Sequence, residues 1–180
     1  MPQVIVLNGG SSSGKSSIAR CLQEILPEAW LGVSVDTFVD ALPPRLREGG
    51  DGLVIGPDGE VATGPAFDEL DGAWLAGIAA MARAGAHVVV DDVFLGGPRS
   101  RSRWSRALTG LDVLWVGVRC SPEAAVAREA ARGDRVPGMA AKQAALVHEG
   151  VPYDLEVDTT SASPAECARA VAEHAAGRGA

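Results

Sequence analysis

Lysine is nearly missing from this chain. Of its 16 basic residues only Lys15 and Lys142 are lysine; the rest are arginine. With 23 acidic residues they leave a formal net charge of −7. That balance argues against a nucleic-acid partner, because phosphate backbones demand clustered basic side chains. The one basic run, Arg99-Ser-Arg-Ser-Arg-Trp-Ser-Arg106, reads as the solvated start of a helix. Cysteine is scarce as well. Cys21, Cys120 and Cys167 are widely spaced, without a Cys-x-x-Cys pair, which argues against a disulfide framework or a zinc site. No apolar run approaches the roughly 20 residues needed to cross a bilayer. Met1 leads straight into an apolar strand, with no basic leader or cleavage site. A cytoplasmic protein with no membrane partner is expected. Aromatic residues make up 4% of the chain, and the four tryptophans are too scattered to form a stacking platform.

What remains is an ordinary globular balance over 180 residues, 47% apolar and 22% charged, which suits a single domain spanning 1–180. Short apolar runs alternate with longer stretches of helical period. Strands are predicted at 3–8, 31–36, 87–91, 112–118 and 153–157, with helices over 14–26 and 67–84. Ser121-Pro122-Glu123 and Ser163-Pro164-Ala165-Glu166 each mark a helix start, with Ser at the cap and Pro in the first turn. This alternation predicts an α/β fold of three layers, a central parallel sheet of about five strands covered on both faces. Two stretches break the rhythm. Residues 45–64 are rich in Gly and Pro and read as a hairpin inserted near the substrate end of the sheet, turning at Pro57-Asp58-Gly59. Residues 132–138 are polar and basic between two helices, and read as a mobile lid.

The strongest motif is Gly9-Gly10-Ser11-Ser12-Ser13-Gly14-Lys15-Ser16, a full match to Gly-x-x-x-x-Gly-Lys-[Ser/Thr]. It follows a predicted strand and opens a predicted helix, the context such a loop requires. Glycines let the backbone wrap phosphates, and the helix N-terminus adds its dipole. Lys15 is expected to reach the β- and γ-phosphates and Ser16 to ligate Mg²⁺. One of only two lysines in the chain occupies this slot.

Other residues narrow the class. No Asn-Lys-x-Asp is present to read guanine, and the strand ending at Asp91 is not followed by Asp-x-x-Gly. A compact kinase is left. Asp36, at the end of the second predicted strand, can take the proton of an attacking hydroxyl, since open α/β sheets bind ligands beyond their carboxyl ends. Its other reading is an N-cap for the helix that follows. Asp91 and Asp92 end a hydrophobic strand, and Asp91 is the first choice to hold Mg²⁺. Arg132 and Arg135 sit where a lid would deliver them onto a phosphoryl transition state. Arg128, a turn earlier, is expected against the nucleotide base. The segment Val157-Asp158-Thr159-Thr160 reads either as a base-contacting loop or as a plain turn, and His148 as packing.

Taken together, these residues resemble the chloramphenicol phosphotransferases. The resemblance rests on Ile5-Val-Leu-Asn-Gly-Gly-Ser-Ser-Ser-Gly-Lys-Ser16, Val35-Asp36, Asp91-Asp-Val-Phe-Leu-Gly-Gly97 and Asp112-Val-Leu-Trp-Val-Gly-Val-Arg-Cys120. It continues through Arg132-Gly-Asp-Arg135, Gly138-Met-Ala-Ala-Lys-Gln143 and Glu156-Val-Asp-Thr-Thr160. It implies ATP-dependent phosphorylation of the primary hydroxyl of chloramphenicol, an antibiotic-resistance reaction. The family's catalytic aspartate falls on Asp36, its nucleotide loop on Gly9 to Ser16, and its lid arginines on Arg132 and Arg135. The resemblance weakens after Asp36 and through 45–64, where Phe38, Leu42 and Pro43 are expected to line the acceptor pocket. The acceptor is therefore expected to be a small hydroxylated molecule, an antibiotic such as chloramphenicol or a nucleoside antibiotic, with a metabolite kinase or a nucleotide-binding sensor as rivals. ATP with Mg²⁺ is the expected cofactor pair, GTP being a second candidate, and a homo-oligomer is compatible with all of this.

Overall fold

Five short strands build the centre of the molecule: β1 (Val4–Asn8), β2 (Trp30–Ser34), β5 (His87–Asp92), β6 (Val113–Arg119) and β7 (Leu155–Asp158). The computed structural model describes residues 1–47, 49–57, 59–132 and 138–178, except for the side chain of Arg132. The five strands form one sheet in the order β2-β5-β1-β6-β7, all parallel. Because successive side chains alternate between faces, the continuous apolar run of β1 feeds two cores at once. Ile5 and Leu7 join Val116 and Val118 beneath α1 (Lys15–Ile25) and α8 (Pro164–Gly177). Val4 and Val6 join Val88 and Val90 beneath α4 (Pro65–Arg83) and α5 (Pro98–Ala107). This is the expected three-layer α/β architecture, with eight helices among the described residues.

The chain leaves β1 toward β2 on one side, and leaves β6 toward β7 on the other. The reversal opens a crevice beyond the carboxyl ends of β1 and β6, where such sheets bind ligands. Gly9 to Gly14 sit in that crevice, between β1 and α1. The helix starts predicted from Ser-Pro are present at α6 (Pro122–Arg132) and α8. At α8 the Ser163 hydroxyl accepts from the Glu166 amide, and the Glu166 carboxylate accepts from the Ser163 amide.

The second strand ends earlier than predicted. Its last residue is Ser34, whose hydroxyl accepts the Thr37 amide at 3.0 Å and caps helix α2 (Val35–Ala41). Asp36 therefore lies in the first turn of α2 rather than at the strand tip or at the cap. The inserted hairpin is present as β3 (Leu53–Ile55) antiparallel to β4 (Val61–Thr63), following the short α3 (Pro44–Arg47). Beneath it Phe38, Leu42, Leu46, Leu53 and Phe67 make a separate small core, with Phe38 and Phe67 edge to face at 5.1 Å. Phe38 and Leu42 thus hold the hairpin on α2 rather than lining a pocket. The helical period explains the change: Phe38 and Leu42 share one face, while Val35 and Val39 share another that meets the cleft. The lid expected over 132–138, and Arg135 with it, lies outside the described residues apart from the helix end at Arg132 and the cap Gly138 of α7 (Met139–Leu146).

Candidate active site

The loop between β1 and α1 is shaped by steric necessity at a few points. A Cβ on Gly9 would stand 2.6 Å from the Val118 carbonyl oxygen, so only glycine lets β1 turn against β6. Gly14 caps α1 in the left-handed region, at φ 92°, and offers no side-chain acceptor to the first-turn amides. The Ser17 amide donates to the Gly14 carbonyl, and the Lys15 and Ser16 amides open the helix with its dipole behind them, the standard cradle for a phosphate. The Ser12 and Ser13 hydroxyls are buried without partners, as donors awaiting an anion would be.

Lys15 lies folded into the loop. Its Nζ donates to the Gly10 carbonyl at 2.8 Å and stands 3.7 Å from Asp91 Oδ1, with both side chains buried. Ser16 Oγ donates to Asp91 Oδ2 at 2.5 Å. A hydroxyl and a carboxylate in contact beside a phosphate cradle are the hard oxygen donors that suit Mg²⁺, which keeps several waters and binds few protein groups. Asp92 is differently committed. Its carboxylate accepts from Trp104 Nε1 at 2.5 Å and from the Val93 amide at 2.7 Å. Burial pushes its carboxyl above the usual range, although both bonds favour the charged form.

Beyond the loop opens a cleft of about 600 Å³, a size suited to a small-molecule ligand. Lys15, Ser16, Asp91 and Asp36 all line it. Val39, Leu53, Ile55, Val61 and Phe67 supply an apolar wall, and Asp68 and Asp71 also line the cleft. Pro43 is not part of that wall. The basic run at 99–106 forms α5 as predicted, yet it is not simply solvated. Arg99 and Arg103 line the cleft, Arg103 pairs with Asp71, and Arg101 lies 3.3 Å over the Trp115 ring. Their i, i+4 spacing was a legible sign that Arg99 and Arg103 share a face.

Arg128 sits behind the loop. It donates to the Thr159 carbonyl at 2.6 Å and the Thr159 hydroxyl at 3.1 Å, while that hydroxyl donates to the Ser13 carbonyl at 2.7 Å. The turn at 157–160 is thereby fastened to the phosphate loop. Sequence reasoning also missed Gln143 and Asn8. Gln143 Oε1 accepts the Ser11 amide at 2.8 Å. Asn8 donates to Val147 O and Tyr153 Oη and accepts from the Phe94 amide, tying β1 to the exit of β5. Tyr153 Oη is in turn in hydrogen-bond contact with His148 Nδ1 at 2.7 Å.

Burial, helped by the nearby Arg119 charge, holds His148 down to about 4. Since the unfolded ring takes a proton near 6.5, acid favours the unfolded chain: this contribution is complete above pH 6.5 and is lost as pH falls toward 4. Urea unfolding should give a stability about 2 kcal/mol lower at pH 5 than at pH 7 from this group alone. A His148→Gln chain should lose that part of the slope, and an unchanged slope would contradict the assignment.

The profile of the family described as chloramphenicol phosphotransferase-like proteins matches residues 2–176. The chain belongs to that family. "Putative O-phosphotransferase Rv2636" of Mycobacterium tuberculosis is 35% identical over 96% of this chain and 83% of its own length. Among solved structures, a gluconokinase from Sinorhizobium meliloti superposes with a TM-score of 0.62 at 22% identity, covering 98% of this chain and 93% of its own. The tunicamycin resistance protein of Deinococcus radiodurans superposes at 0.68 with 17% identity, covering 97% and 96%. Family membership makes this chain an O-phosphotransferase, and the shared fold is that of the P-loop kinases.

Proposed function

We propose that the protein transfers the γ-phosphoryl group of ATP to a hydroxyl of chloramphenicol or a related antibiotic. The observation that carries this reading is one cleft with two chemistries. Lys15, Ser16 and Asp91 stand at its phosphate end, and Asp36 faces it beside an apolar wall. In the reaction the acceptor oxygen bonds to the γ-phosphorus, the bond to the β,γ-bridging oxygen breaks, and ADP leaves. Asp36 takes the proton released by the hydroxyl. The amides of Gly10 to Ser16 and the Lys15 ammonium hold the triphosphate in line. Ser16 and Asp91 would hold Mg²⁺, which when bound neutralises charge on the phosphate oxygens. Arg128 and the turn at Thr159 supply the side of the loop where the base would lie. Arg132 and Arg135 would close over the reacting phosphate and exclude water.

The acceptor wall favours an uncharged molecule with an apolar body. Its carboxylates Asp36, Asp68 and Asp71 oppose an anion; of the two arginines on the cleft among the described residues, Arg103 is paired with Asp71, which leaves Arg99 as the one further guanidinium against them. The related gluconokinase is named for an anionic sugar acid; this cleft is poorly suited to one. Incubation with Mg·ATP or Mg·GTP against a panel of hydroxylated antibiotics, with gluconate alongside, should add one phosphate to a neutral antibiotic, read by mass spectrometry. Phosphorylation of gluconate in preference to every antibiotic would overturn the reading in favour of a metabolite kinase. Nucleotide binding without any acceptor-dependent release of ADP would favour a sensor.

A further inference from the structure

Two glycines far apart in the chain abut the same short helix. A Cβ on Gly10 would stand 3.1 Å from Gln143 Cβ, and one on Gly59 would stand 2.8 Å from the Met139 N, Cα and Cβ atoms. Gly10 belongs to the phosphate loop, and Gly59, at φ 74°, to the turn of the hairpin that walls the acceptor side. Met139 and Gln143 are four residues apart on α7, on one face, with a rise of about 6 Å between them. Both line the cleft.

The helix is fixed against its surroundings in three further ways. Buried Glu129 of α6 accepts the Gly138 and Ala140 amides at 2.9 and 2.8 Å, satisfying donors that a helix start leaves open. Gln143 is itself 5% exposed, and its Oε1 holds the Ser11 amide of the loop. At the hairpin end Lys142 Nζ stands 3.7 Å from Glu60 Oε1.

We propose that α7 is a strut that couples the phosphate loop to the acceptor hairpin, with Gln143 as the positioning residue at one end and the Gly59–Met139 contact at the other. This rests on the reading of the cleft as a nucleotide and acceptor site. A phosphate entering the loop competes with Gln143 Oε1 for the Ser11 N–H. Gly10 and Gly59 lie so near α7 that a methyl on either would crowd it, so a shift of the loop is taken up by α7 and passed through Met139 to the hairpin. Nucleotide binding therefore sets the acceptor wall before the acceptor arrives. Close-packed contacts transmit small shifts of this kind because they do not compress.

Hydrogen–deuterium exchange on the full chain tests the coupling without any knowledge of the acceptor. Saturation with Mg²⁺ and a non-hydrolysable ATP analogue should slow exchange of the hairpin amides at 53–55 and 61–63 by about fivefold or more, the lower end of ordinary coupling between sites. Gln143→Ala and Gly59→Ala should each still bind the analogue, by calorimetry, yet lose the hairpin response. Gly85→Ala carries a comparable backbone penalty, at φ 99° with open space around the added methyl, and should keep it. Hairpin exchange indifferent to saturating nucleotide in the parent chain, or a response that survives in either cleft variant, overturns the strut. A chain that binds no nucleotide at all sinks the phosphotransferase reading itself, and the strut with it.

Discussion

Asp36→Asn loses about 10²- to 10⁴-fold in kcat, the usual worth of a positioned general base, while its affinity for Mg·ATP stays near that of the parent. Asn matches Asp in shape but cannot take the proton that the acceptor hydroxyl must release. The cap of α2 survives the change, because it is made by Ser34 and the Thr37 amide rather than by Asp36. The side chain is exposed in the first turn of α2, and it lines the cleft with Lys15 and Asp91. An isosteric change there separates chemistry from binding cleanly. Steady-state kinetics on the acceptor found by the antibiotic panel, with nucleotide affinity from calorimetry, read the two quantities apart. Full turnover in this variant removes Asp36 from the mechanism, and equal losses in both quantities would make it a structural residue instead.

Lys15→Ala acts on both. Turnover should fall by about 10²- to 10³-fold, as when one preorganised donor is taken from a charge that grows in the transition state, and nucleotide affinity should fall with it. Lys15 is the cation of the phosphate loop, and it is buried there with its Nζ on the Gly10 carbonyl and near Asp91. Removing it leaves the Asp91 carboxylate with the Ser16 hydroxyl but without its charge partner. The free protein should therefore melt at a lower temperature as well, a readout independent of any substrate. Unchanged nucleotide binding by Lys15→Ala would mean that the triphosphate lies elsewhere.

Much of this site was legible in contiguous residues. Gly9 to Ser16 announced a turn from strand into helix, and the turn is there with Gly14 at positive φ. The Ser-Pro starts of α6 and α8 and the hairpin around 57–59 were equally local. Asp36 was misplaced by one element because Ser34, not Asp36, won the cap; either side chain is a good N-cap acceptor, and the order of the two decides only once the strand's register is set. Phe38 and Leu42 were misread for a related reason. Apolar residues near an acceptor site can line it or hold its wall in place, and the helical phase of α2 was uncertain until its first residue was known.

Sequence alone settled what depends on near neighbours: the phosphate loop, the Ser-Pro starts of α6 and α8, and the alternation that makes a three-layer α/β fold. Those features arise from backbone sterics and hydrogen bonds within a few residues, so they are written where they act. Tertiary structure alone brought Gln143 to Ser11 across 132 positions, Thr159 to Ser13 across 146, and the Gly59 turn against Met139. Such pairs follow from the strand order and from which helix faces which edge. Those are outcomes of global packing, and no short window of sequence contains them.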